Sequence, residues 1–326
     1  MRFAKGHGTG NDFLILPDPD DALDLSPELV TRLCDRRTGL GADGVLRVVG
    51  QPPPPAHLPV PPSPAPYTAG GRPGRDGRPE GVKGAGEVGG GQDAGGSWGV
   101  VPPGSAQWFM DYRNADGSVA EMCGNGARVF ARYLLAHGLA DGPAFTVATR
   151  GGERQVWAEP GGEITVDMGA PTVLGRGRAV VGGRECEGLA VSLGNPHLAC
   201  LVDIPVADFD LSAPPLFDPG QFPDGVNVEV LKVTGDSCAE MRVYERGSGA
   251  TLSCGTGAVA AAVAAAMPDR AGTWTVQVPG GRLAVTLGEA TSLLTGPAVI
   301  VAEGEIDESW LAGHAAAAPV GRHGGC

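Results

Sequence analysis

Cys123 and Cys254 each open the same short pattern, Cys-Gly-x-Gly-Ala, read as CGNGA and CGTGA more than a hundred residues apart. Each pattern runs straight into a helix-like stretch. A cysteine just ahead of a helix sits where unpaired backbone N–H groups and the positive end of the macrodipole converge, and that field favours thiolate. A free thiol titrates near about 8.5, and such a placement can bring it toward neutrality, where it serves as a base. The glycines give the N–H groups steric room to approach a carboxylate.

Taken singly, a cysteine before a helix is more often structural than catalytic. A matched pair suits inversion at an α-carbon, in which one group removes the proton from one face and the other delivers a proton to the opposite face. If each sulfur stands roughly 3 to 3.5 Å from that carbon, the two should lie about 6 to 7 Å apart across the ligand. Helix N-termini aimed at the adjoining carboxylate would stabilise the carbanion charge as it forms. No electron-sink cofactor is therefore expected, and the glycine-rich segments, HGTGND included, fit neither GxGxxG nor the P-loop.

The elements that must position these thiols are legible in outline. A helix is predicted over 126–136, closed by Gly138, and a second over 257–267, closed by Pro268. The second is nearly all Ala and Val, so it has no polar face and belongs inside a core. The first mixes Arg128 and Arg132 with Val129, Phe130, Tyr133 and Leu134 and is expected to be partly buried. Short strands are predicted at 44–49, 108–112, 145–148, 156–158 and 164–168, divided by Gly, Asn and Asp turns. A second series is expected to run from Gly169 through VSLGNPHLACLV, GVNVEVLKV and MRVYERG, and then TWTVQV, RLAVTL and AVIVAEG. The repeated pattern suggests two related halves facing each other.

Residues 50–106 are Pro-rich and then Gly-rich, with hardly any large apolar side chain to offset ordering entropy. They read as a disordered insert; its PxxP spacing could dock an SH3-like partner, but a tolerated surface insertion is the simpler reading. The chain has 326 residues, and its net charge of −13 argues against nucleic acid and anionic lipid as partners. The N-terminus lacks a signal-peptide core, and no apolar run of about 18 residues exists to span a bilayer, so a cytoplasmic protein is expected. The cysteines at 34, 123, 186, 200, 238, 254 and 326 are odd in number with no CxxC pair, which argues against a disulfide framework or structural zinc. The tail 313–326 is expected to fray.

The segments KGHGTGNDF, RRTGLGAD, YRNADGSVAEMCGNGAR, LGNPH, VNVEVL and RVYERGSGATLSCGTGA occur in the order seen in diaminopimelate epimerases, and the chain resembles that family over most of its length outside the insert and tail. The resemblance implies an isomerase acting on LL- and meso-diaminopimelate, on the route to lysine and peptidoglycan, with no cofactor and no metal. The implied fold is α+β: two pseudo-symmetric halves, each a curved, mostly antiparallel, barrel-like sheet wrapped around a central helix, with the site in the cleft between them. The halves would be 1–167, completed by 298–312, and 168–297. A homodimer is compatible with the resemblance.

Carried over by position, Cys123 and Cys254 match the family's two catalytic thiols. Gly124, Asn125, Gly255 and Thr256 match the groups that hold the reacting carboxylate. Asn11, Asn114, Asn195, Asn227 and Arg246 match the polar set around the substrate's amino and carboxylate groups. His197 and Glu245 match the pair that tunes the thiols, with Glu245 also near the reacting amine. Outside the motifs, each Asn would read as a turn residue and Arg246 as a surface ion pair. His7 is expected to hydrogen-bond the Gly-rich turn. Gly44 stands where some relatives carry a polar side chain that contacts substrate, which could alter affinity. Two rivals remain: a proline or hydroxyproline racemase, which also pairs two cysteines, and a non-catalytic binding or redox protein whose cysteines form a reversible disulfide.

Overall fold

A computed structural model describes residues 1–50, 104–267 and 271–315. In chain order the first part contains β1 (Arg2–Gly8), β2 (Asn11–Pro17), α1 (Pro27–Cys34), β3 (Gly44–Gly50), β4 (Trp108–Asn114), α2 (Gly124–Ala136), β5 (Ala144–Thr149), β6 (Gly152–Ala158) and β7 (Ile164–Gly169). The second contains β8 (Thr172–Val181), β9 (Arg184–Ser192), β10 (Pro196–Leu201), β11 (Leu216–Phe217), β12 (Asn227–Gly235), β13 (Cys238–Glu245), β14 (Gly249–Thr251) and α3 (Gly255–Ala266). It continues with β15 (Gly272–Val278), β16 (Gly281–Leu287), β17 (Ser292–Gly296), β18 (Val299–Glu305) and α4 (Glu308–Ala315). Mostly strands with few helices, it is a mixed α/β protein.

The hydrogen-bond registers order the strands into two matching series. One runs β18–β1–β2–β3–β4–β5–β6–β7, parallel only at β2/β3 and β4/β5. The other runs β8–β9–β10–β12–β13–β15–β16–β17, parallel only at β10/β12 and β13/β15. The series join where β7 pairs antiparallel with β17. α2 packs on strands of the first series and α3 on strands of the second.

Strand β2 shows how the layers form. Its alternation sends Phe13 and Ile15 toward α2 and Leu14 and Leu16 toward α1, and all four are fully buried. A strand covered on both faces reads as an unbroken apolar run, as FLIL does here.

Both central helices begin two residues before the predicted starts. Cys123 and Cys254 are the N-caps, with extended dihedrals of φ −138°, ψ 118° and φ −126°, ψ 121°. Glycines in a first turn are poor helix formers, so propensity hides these starts. α2 closes as expected: Gly138 takes φ +64°, and the Leu139 N–H reaches Leu134 O at 2.8 Å. α3 ends at Ala266, and the Pro268 predicted to close it lies outside the described residues.

Gly50 belongs to β3, opposite Trp108, and Gly104 and Ser105 are hydrogen-bonded to Glu153 and Thr146, so order extends into both ends of the proposed insert. The rest, 51–103, lies outside the described residues. Likewise α4 carries the chain past the expected start of the tail, with 316–326 outside the description. α1 had not been predicted, although Ser26 caps it by accepting from Leu29 N–H at 3.2 Å and Pro27 opens it.

Candidate active site

The two helix starts meet. A Cβ placed on Gly255 would lie 3.0 Å from Gly124 Cα and 3.2 Å from Asn125 N, so the backbones touch at the first turns of the two helices. A Cβ on Gly124 would instead strike Met168 Cε at 2.8 Å and Leu294 Cδ2 at 2.9 Å. At Gly255 a side chain would press on the backbone of the facing helix start, whereas at Gly124 it would press on side-chain ends.

Both cysteines open onto one cleft of about 1530 Å³, which Gly124, Asn125, Gly255 and Thr256 also line. The Cys123 thiol accepts from the Gly126 N–H at 3.4 Å and lies 4.0 Å from Asn11 Oδ1. The Cys254 thiol is 3.5 Å from Thr256 Oγ1. Burial pushes Cys123 up to about 11, against the pull of the Gly126 and Asn125 N–H groups and the Arg128 guanidinium. Cys254 is driven well above its ordinary value, first by burial and then by the negative field of Glu245 and Glu229. In the unliganded protein both thiols therefore lie above their ordinary value rather than near the expected neutrality, and at Cys123 desolvation outweighs the pull of the helix-start N–H groups.

The predicted asparagines and Arg246 converge on the same cleft. Asn11, first residue of β2, donates to Asp43 Oδ2 at 2.7 Å and accepts from Asn125 Nδ2 at 3.2 Å. Asn125 is buried and also donates to Ser253 O at 3.0 Å. Asn114, at the end of β4, donates to Ser118 Oγ at 2.9 Å, so its turn role and its cleft position coexist. Asn195 donates to Thr256 Oγ1 at 3.3 Å. Asn227 is held on both sides, donating to Pro196 O at 3.0 Å and accepting from the Arg246 N–H at 2.9 Å. Arg246 donates through Nη1 to Asp224 O at 2.8 Å, and among the described residues its fork pairs with no carboxylate.

Glu245, last in β13, lines the cleft and is raised by burial, while Thr251 Oγ1 donates to it at 2.5 Å and Cys254 also hydrogen-bonds it. His197 is fully buried on β10 and is not among the residues lining the cleft. Its Nδ1 meets Glu229 Oε1 at 2.6 Å, and among the described residues its Nε2 has no hydrogen-bond partner. Glu229, fully buried and raised by burial, went unread in VNVEVL because a charged residue between Val228 and Val230 reads as the solvent-facing position of an alternating strand. A Cβ on Gly257 would stand 2.7 Å from Glu229 Oε1, so this acid lies under the first turn of α3.

Gly44 is buried, and a Cβ there would meet Arg113 O at 2.6 Å; it is not among the cleft residues, so a polar side chain cannot simply be inserted. His7 Nδ1 is buried without a hydrogen-bond partner among the described residues, so the expected bond to the turn is not made through it. The turn is held instead by Thr9 Oγ1, which donates to Ser253 Oγ at 2.7 Å, and by close packing of Gly280 on Thr9 O. Asp43, Tyr112 and Ser253 are further cleft residues that no sequence pattern singled out.

Comparison with known proteins first defines the class. The fold is shared with a phenazine biosynthesis protein of the PhzF family from Bacillus anthracis, at TM-score 0.57 and 14% identity over 94% of this chain and 99% of that one. It is shared equally with a probable proline racemase from Agrobacterium radiobacter K84, solved with bound carbonate, at TM-score 0.57 and 14% identity over 94% and 93%. The family model for diaminopimelate epimerase matches residues 91–174 and 189–301. A diaminopimelate epimerase from Thermobifida fusca is 52% identical over 311 residues, covering 95% of this chain and all of that one. The chain belongs to the diaminopimelate epimerase family.

Proposed function

We propose that this protein interconverts LL- and meso-diaminopimelate in lysine biosynthesis by a two-base mechanism at Cys123 and Cys254, without a cofactor. The observation that carries the reading is the contact of two cysteine-capped helix N-termini, Gly124 against Gly255, inside one cleft. A carboxylate seated there is met by N–H groups from both helices, and an α-carbon attached to it is presented to one sulfur on each side. One thiolate takes the α-proton and becomes the thiol; the other thiol gives its proton to the opposite face and becomes the thiolate. The charge that builds next to the carboxylate is stabilised by both macrodipoles.

The high resting values of the two thiols do not oppose this. A substrate ammonium placed beside a thiol favours the charged thiolate. Arg246, with its fork free of carboxylates, suits the distal carboxylate. That demand for two carboxylates separates this reading from a proline or hydroxyproline racemase, whose substrate would leave Arg246 unused. We further propose that the two strand series are halves spanning 1–167, completed by 298–312, and 168–297, and that the protein works in the cytosol. Among the described residues no helix is long and apolar enough to cross a membrane.

The purified protein is expected to turn over LL-diaminopimelate with no added cofactor, and turnover of proline but not LL-diaminopimelate would reverse the ranking. In heavy water, early product should carry solvent deuterium while the remaining substrate does not. Equal early labelling of both pools would mean one shuttling base rather than two.

A further inference from the structure

The two-base reading leaves a buried cation unused. Arg128, in the first turns of α2, is fully buried. Its guanidinium donates to neutral acceptors: Nη2 to Asn125 Oδ1 at 2.9 Å and Thr9 Oγ1 at 3.2 Å, Nη1 to Gly124 O at 3.3 Å, and Nε to Pro297 O at 3.5 Å. Among the described residues it joins no ion pair with a carboxylate, whereas the equally interior Asp111 gathers three arginines. A cation taken out of water with no anion beside it is costly, and burial accordingly lowers Arg128 to about 10. The fold keeps it nonetheless, in a tailored space: a Cβ on Gly8 would lie 3.1 Å from Nη2, and one on Gly296 3.5 Å from Nε.

Its partners are the residues that bring the helix starts together. Thr9 occupies the left-handed region at φ +52°, a conformation unfavourable for a β-branched residue, and is held there between Arg128 and Ser253. Asn125 bridges from Arg128 to Asn11 and to Ser253, the residue preceding Cys254. One guanidinium thus ties the β1–β2 turn to the start of α2, and through Thr9 and Asn125 to the start of α3.

We propose that Arg128 is a positioning residue whose positive charge offsets the anions gathered at the two helix starts, the Cys123 thiolate and the substrate's reacting carboxylate, and whose planar fork fixes how those starts meet. The carboxylate half rests on the proposed function; the thiolate half does not. The other groups facing Cys123 are Glu245 from β13, Tyr112 from β4, the neutral Asn11 from β2, and the N–H groups of Asn125 and Gly126. Arg128 is itself within the field of Cys123 and of Glu163 from the β6–β7 turn. Of these side chains Arg128 supplies the positive charge, and Glu245 opposes it.

The test is the rate of Cys123 alkylation by iodoacetamide between about pH 7 and about pH 8.5, below the titration of both the thiol and the guanidinium, read by peptide mapping on the full chain without substrate. Arg128→Met removes charge and fork, Arg128→Gln removes charge but keeps donors for Thr9 and Asn125, and Arg128→Lys keeps charge without the fork. Labelling is expected to slow by about tenfold in the Met and Gln variants, the equivalent of a rise of about one unit for the thiol, and to stay near wild type in the Lys variant. If Arg128→Met does not fold, Arg128→Gln decides. A wild-type rate in a folded neutral variant, or a slowing in Arg128→Lys as large as in Arg128→Gln, overturns the charge role, since a purely structural arginine would not be rescued by the charge of lysine alone. For the fork, Arg128→Lys should raise the KM for LL-diaminopimelate with a smaller change in kcat, and an unchanged KM overturns that part. A wild-type enzyme inactive on LL-diaminopimelate sinks the substrate reading alone, because alkylation is measured without it.

Discussion

At the scale of single residues, the two thiols are alike in sequence and unlike in surroundings. Cys123 is partly exposed and faces Asn11 and the Arg128 field, while Cys254 is buried between Glu245 and Glu229. Burial raises both, and a reagent in solution reaches the partly exposed Cys123 more readily than the buried Cys254. Alkylation of the resting protein should therefore mark Cys123 before Cys254. Glu229→Gln removes one of the anionic fields on Cys254 while an amide can still meet His197 Nδ1, so Cys254 labelling should quicken by about tenfold at fixed pH; unchanged labelling would show that Glu229 does not act on the thiol. Cys123→Ser and Cys254→Ser should each cut epimerisation by about a hundredfold or more, since a hydroxyl at its ordinary pKa is a poor base. Initial rates on LL-diaminopimelate check this, and a serine variant within a few-fold of wild type would remove that cysteine from the acid/base pair.

The element scale is where the helix starts become a site. Gly255 abuts backbone, Gly124 Cα and Asn125 N, whereas Gly124 abuts the flexible ends of Met168 and Leu294. Gly255→Ala must push two helices apart, and Gly124→Ala need only move side chains. Activity should fall by at least about tenfold more in Gly255→Ala, which corresponds to about 1.4 kcal/mol of transition-state stabilisation. Steady-state kinetics of both variants decide it, and equal losses would mean the junction is softer than the backbone contact implies. The paired Cys-Gly-x-Gly-Ala pattern made both helices legible. The helix α1, only Pro27–Cys34, was too short for its periodicity to stand out, and α4 was obscured by the Ala- and Gly-rich tail around it.

At the scale of the whole molecule, β3 and β4 pair directly, with Gly50 opposite Trp108, so the intervening segment leaves and rejoins the sheet at one place. Replacing 51–106 with a short turn should therefore leave kcat/KM within a few-fold of wild type; a loss of a hundredfold would show that the segment serves the site. The same sheet region is pinned by Asp111, fully buried and bonded to Arg47 at 3.1 Å, Arg113 at 2.8 Å and Arg150 at 2.6 Å. Burial alone would raise this acid, yet the arginines hold it below its ordinary value. A carboxyl depressed in the fold contributes stability that is complete above its unfolded value, about pH 4, and is lost as pH falls through the folded one. Asp111→Asn should cost about 3 kcal/mol at neutral pH by leaving three cations short of an anion. Melting curves from pH 7 down to pH 3 should show the wild type losing its advantage over the variant, and parallel curves would contradict this.

What the sequence determined by itself was local: a thiol at the head of each of two glycine-opened helices, an alternation that made strands, and enough matched motifs to place the chain in its family. These depend on neighbours within a few residues, which is the range over which capping, propensity and periodicity act. The tertiary structure decided what long-range contact alone can decide. It seated Glu229 under α3 beside His197, bonded the buried Arg128 to neutral acceptors, and raised both thiols by desolvation that no spacing of residues encodes. Burial is a property of everything packed around a group, and for a buried thiol or guanidinium it outweighs what the adjacent sequence favours.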